Sequence, residues 1–150
     1  MTRLPAVLCL VSVLGCGGDG SGGGAVSSAP LAGKLGGKAW TFGTGESNSF
    51  LSDDKTYWVD AYAGTFAPCT QSAPFDGDRL ILNLPRTTGT HHLSLDLTQT
   101  FYVGGGNNLV ATSGTIVIDS ITETTISGGA RFAYNADNSV DGQFTATICP

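Results

Sequence analysis

The chain has 150 residues, 22 of them glycine, and carries 7 Lys and Arg against 12 Asp and Glu, a formal net charge of −5. That length allows one domain with a modest core. So few cations on an acidic chain could not replace the counterions of a phosphate backbone, which excludes nucleic acid as a partner.

Met1-Thr2-Arg3 supplies one positive charge, and residues 4–14 (LPAVLCLVSVL) follow as an apolar run. As a helix that run would span roughly 16 Å, about half of a hydrocarbon core, so it reads as a secretory signal and not as a membrane span. Val13-Leu14-Gly15-Cys16 resembles a bacterial lipobox. The resemblance implies a signal peptide over 1–15, removed at Cys16, whose thiol is the nucleophile that takes up lipid. Two or three acyl chains hold a protein firmly where one does not. An ordinary cleaved signal with an incidental cysteine is the alternative.

Residues 17–30 (GGDGSGGGAVSSAP) hold six glycines and one charge. Such a stretch has too little apolar surface to offset its ordering entropy, so 16–30 reads as a lipidated cysteine and a flexible tether. Gly17, not Asp, follows Cys16. By the sorting rules of some Gram-negative bacteria this favours the outer membrane over the inner one.

From residue 31 to 150 the apolar period is two. Lys34-Leu35 and residues 38–42 form an expected hairpin around Gly36-Gly37, and 57–63 (YWVDAYA) and 79–84 read as strands, the latter ended by Pro85. Leu93, Leu95 and Leu97 alternate with His92, Ser94 and Asp96, which predicts a strand there. Residues 101–103, 115–121, 126–134 and 140–148 complete the series, the last two joined by the turn-rich 135–139. The expected fold is therefore all-β, an antiparallel β-sandwich or β-barrel of about eight or nine strands.

Cys69 and Cys149 remain after the signal and lipid cysteines, an even pair expected to form a disulfide in an oxidising compartment; two free thiols or metal ligands are the alternative, with no second pair of Cys or His placed for zinc. No candidate catalytic set stands out. His91 and His92 are adjacent and would point to opposite faces of a strand. Asp137 to Gly142 imitates the start of a calcium loop, but Ile148 stands where its bidentate Glu should be. Asp53-Asp54 and Asp76-Gly77-Asp78 read as solvated loops, and Gly104 to Asn108 as a hairpin tip lacking the lysine of a phosphate loop. Trp40, Tyr57, Trp58 and Tyr62 suit a core better than a sugar or lipid pocket.

The order of features, a lipobox and glycine-rich tether, then "GKAWTF", a mid-chain Cys, "LILNLP" ending at proline, and a closing "VDGQFTATIC", resembles small uncharacterised predicted lipoproteins of myxobacteria and related Gram-negative bacteria. That group has no assigned activity, so the resemblance implies no functional residues. The expectation is a lipid-anchored, non-enzymatic envelope module without metal or cofactor, its partner the membrane and an envelope protein or glycan. Two rivals are a carrier with an apolar cavity lined by Trp58, Tyr62 and Phe132, and a hydrolase of envelope polymers.

Overall fold

A computed structural model describes residues 24–70 and 77–150. The expected signal peptide, Cys9, Cys16 and Asp76 lie outside the described residues.

Among the described residues, eleven strands join into one curled sheet. They are β1 (Ala32–Leu35), β2 (Lys38–Thr41), β3 (Thr44–Ser47), β4 (Thr56–Tyr62), β5 (Arg79–Pro85), β6 (Gly89–His92), β7 (Gln99–Val103), β8 (Asn107–Ala111), β9 (Gly114–Ile121), β10 (Thr125–Asn135) and β11 (Asn138–Thr147). The path runs β6-β9-β10-β11-β3-β4-β5-β7-β8, with β1 attached to β11 and β2 to β1. Pairing is antiparallel except where β11 meets β3, at Thr147 and Glu46. β6 and β8 end the path unpaired with each other, so the sheet curls into a half-barrel and does not close.

Alternation sets the inner face. Val59 and Ala61 of β4, Leu80, Leu82 and Leu84 of β5, and Phe101 of β7 are fully buried from one half of the sheet. Ile116 and Ile118 of β9, Ile126 and Ala130 of β10, and Phe144 and Ala146 of β11 come from the other half. The rings of Phe101 and Phe132 meet between them at 5.2 Å. Residues that alternate with polar ones can bury only one face, and curling brings those faces together.

Two hairpin turns follow from backbone chemistry. Gly36 and Gly37 both have left-handed φ (57° and 77°), the geometry that a two-residue turn between twisted strands requires. Gly104 and Gly105 (61° and 73°) turn the chain between β7 and β8, so the expected hairpin tip is present.

Three expectations change. The strand predicted over residues 92–97 lies earlier, at Gly89–His92. Ser94-Leu97 is instead a turn, closed by the Ser94 N–H donating to the Leu97 carbonyl and the Asp96 N–H donating to Ser94 Oγ. Leu93 is buried, but Leu95 is 86 % exposed. β3 and β8, absent from the expected series, carry no period of two, because Thr-Gly-Glu-Ser has no large apolar residue and the apolar residues of Asn-Asn-Leu-Val-Ala are consecutive.

The third concerns the tether. Residues 24–30 run along the outer face of β10 and β11. Asp141 Oδ1 accepts the Ser27 N–H (2.8 Å), Gln143 Nε2 donates to the Ser27 carbonyl (2.8 Å), and the Gln143 N–H donates to the Ala29 carbonyl (2.8 Å). Residues 24–30, expected to belong to the tether, are therefore docked on the sheet. Backbone hydrogen bonding recruits a segment that composition alone describes as a linker.

Candidate functional site

The outer face of β3, β4, β5 and β7 gathers polar and aromatic groups. β4 turns Trp58, Asp60 and Tyr62 to this side while Val59 and Ala61 face the core. Register places Glu46 opposite Asp60 and Arg79 opposite Tyr102. Arg79 Nε donates to Asp60 Oδ1 at 3.0 Å, both side chains largely buried, and the guanidinium lies over the Tyr102 ring, 4.0 Å from its centre. Burial pushes the Asp60 carboxyl above its ordinary value, with Arg79 opposing the shift. Tyr62 is buried beneath the edge of Phe66 (5.5 Å between ring centres). Desolvation, reinforced by the Asp60 charge, pushes its phenol up to about 12.

The disulfide sits at the margin of this face. Cys69, on the connection after β4, is bonded to Cys149 just past β11, with Cα atoms 5.5 Å apart. The expected pair is present. The Cys69 N–H donates to Glu46 Oε2 at 2.7 Å, and the Cys149 N–H to Ser47 Oγ at 2.8 Å. Cys69 has a left-handed φ of 62°. One oxygen of Glu46 and the two sulfurs lie within 4.8 Å of one another. Sequence reading missed Glu46, because its nearness to both cysteines depends on β3 lying beside the end of β11.

A shallow groove of about 360 Å³ lies elsewhere, between residues 24–26 and the outer face of β6 and β9, with His92, Thr115, Asp119 and Gln143 on its walls. His92 and Thr115 are register partners, and Asp119 lies four residues further along β9. At about 13 Å for four residues of strand, His92 and Asp119 are too far apart to act on one atom. His91 points away from this groove and its Nε2 meets the Thr87 carbonyl at 3.0 Å.

The remaining candidates are occupied locally. Asp53 Oδ1 accepts the N–H groups of Lys55 and Thr56, which hold its carboxyl below the ordinary value. Asp78 Oδ1 accepts from the Gly104 N–H. Asp137 occupies the β10–β11 turn while Asp141 binds Ser27, so the imitation calcium loop is a hairpin. Trp40 is buried in the core and its Nε1–H has no partner among the described residues. Trp58 and Tyr62 stand on the face opposite to Phe132, which packs against Phe101 inside, so these three do not line one cavity.

What this arrangement offers is a surface of paired charges and aromatic rings, together with apolar tips. Phe50 is 92 % exposed on a turn whose shape is set by Asn48, whose Oδ1 accepts the N–H groups of Phe50 and Leu51. No family model matches the chain, and no curated protein or solved structure matches it at a significant level.

Proposed function

We propose that this chain is a lipid-anchored lipoprotein of the bacterial cell envelope whose β-domain is a binding or interaction module, in keeping with its resemblance to the small predicted lipoproteins of myxobacteria. The observation that carries the reading is Val13-Leu14-Gly15-Cys16 at the end of a short apolar run with a basic start. The disulfide supports an oxidising compartment. Gly17 after the cysteine favours the outer membrane.

Because residues 24–30 dock on the sheet, about eight peptide steps separate Cys16 from the docked segment. That is a reach of at most about 28 Å, so the anchor would hold the domain close to the lipid surface. A module that acts by contact needs groups held ready for a partner. Phe50 is such a group: its ring is exposed and its backbone is already held by Asn48, so less main-chain freedom is lost on docking. The partner is an envelope protein or glycan.

Cys16→Ala tests the anchor. Expressed in a Gram-negative host, the parent chain should sediment with membranes and incorporate labelled palmitate, and the variant should do neither. Palmitate incorporation unchanged by the substitution overturns the reading.

A further inference from the structure

We propose that the corner formed by Glu46, Cys69 and Cys149 is a zinc site in the dithiol form of the protein, so that one place in the fold holds either a covalent bridge or a metal ion. Three donors converge there from separate parts of the chain: a carboxylate from β3, a sulfur from the connection after β4, and a sulfur from the end of the chain. All three ligand atoms already lie within 4.8 Å of one another. Tetrahedral zinc, with bonds of about 2.3 Å to sulfur and about 2.1 Å to oxygen, needs its ligand atoms roughly 3.5–3.8 Å apart. The sulfurs must therefore separate. Cys69 is exposed on a connection and Cys149 follows the last strand, so the move does not disturb the ladder of the sheet.

The surroundings suit a metal ligand set. The Cys69 N–H fixes Glu46 Oε2 at 2.7 Å, which orients the carboxylate and leaves its other oxygen for an ion. Ser47 Oγ holds the Cys149 N–H at 2.8 Å. Such outer contacts position ligands in metal centres. Two thiolates select a borderline-soft ion, which favours Zn²⁺ over Ca²⁺ or Mg²⁺. The fourth position is left to water, making the site open.

The interconversion balances with a dithiol reductant. One of its thiolates attacks a protein sulfur to give a mixed disulfide and a free protein thiol. Its second thiolate then displaces the other protein sulfur, and the reductant leaves as a cyclic disulfide. Two electrons have passed to the protein, and both cysteines are thiols. Zn²⁺ replaces the two thiol protons, which go to solvent.

The test uses the full chain with Cys9→Ser and Cys16→Ser, leaving Cys69 and Cys149 as its only cysteines, so the outcome is independent of the lipid anchor. After reduction with a phosphine and its removal under anaerobic conditions, Zn²⁺ is titrated by calorimetry and Co²⁺ by absorption. One ion per chain is expected, with a thiolate-to-cobalt charge-transfer band. The oxidised chain should bind none, and Glu46→Gln should weaken zinc at least about tenfold while keeping the sulfur band. Absence of stoichiometric binding, or affinity unchanged by Glu46→Gln, overturns the proposal. Far-UV circular dichroism is recorded throughout; a reduced chain that unfolds and is not restored by Zn²⁺ counts equally against it.

Discussion

Tyr62 shows how an outward-pointing side chain becomes a core-like one. It lies on the side of β4 away from the main core, yet Phe66 covers it and the Asp60 charge sits nearby, so its phenolate is disfavoured. Its pKa is raised to about 12 in the fold against 10.0 in the open chain. The native state therefore holds this proton more tightly. The associated stability is complete below pH 10 and is lost as pH rises through about 12. In a rapid alkaline absorbance titration, the parent should show a phenol ionising near pH 12 that is missing from Tyr62→Phe and returns to near 10 in denaturant. A Tyr62→Phe difference spectrum that titrates near 10 in the folded protein would contradict this. The acidic neighbours carry the opposite lesson: nothing in the spacing of Asp53 distinguishes it from Asp54, yet one accepts two backbone N–H groups.

The segment before β1 is where composition and structure part. Gly142, with φ 141°, lies so close to this segment that a Cβ would come 2.5 Å from the Pro30 carbonyl oxygen and 2.6 Å from that of Ala29. Gly142→Ala thus adds both a steric and a conformational penalty, expected to exceed about 1 kcal/mol. It should loosen residues 24–30 before it loosens the sheet. Limited proteolysis checks this: cleavage within 24–30 should accelerate severalfold in the variant while cleavage in the strands does not. The leucines of 93–97 show the converse error. Alternation over five residues is as compatible with a tight turn as with a strand, and Ser94 supplies the hydrogen bonds that decide for the turn. The hairpins at Gly36-Gly37 and Gly104-Gly105 were legible because few residues but glycine accept those backbone angles.

Across the molecule, cohesion depends on contacts far apart in sequence. The disulfide closes a loop between residues 80 apart and pins the chain end beside β3. Chain entropy assigns it about 4–5 kcal/mol, a large share of a small domain's stability. Replacing both cysteines by serine should lower the urea midpoint accordingly, and a loss under about 1 kcal/mol would show that the closed loop stays compact when unfolded. Phe101→Ala, which removes a fully buried ring from between the two halves of the sheet, should cost about 3–5 kcal/mol in the same measurement.

The all-β class, most strand positions and the Cys69–Cys149 pair could be read from the chain because they rest on local facts: a period of two, glycine turns and two cysteines left beyond the N-terminal segment. The proposed lipid anchor rests on the same kind of evidence, a short motif in a short context. Three things needed the folded molecule: the open, curled path of the sheet, the docking of residues 24–30, and the meeting of Glu46 with two sulfurs. Each is a contact between segments with no mutual signature, settled by which surfaces remain free once the apolar faces have closed on one another.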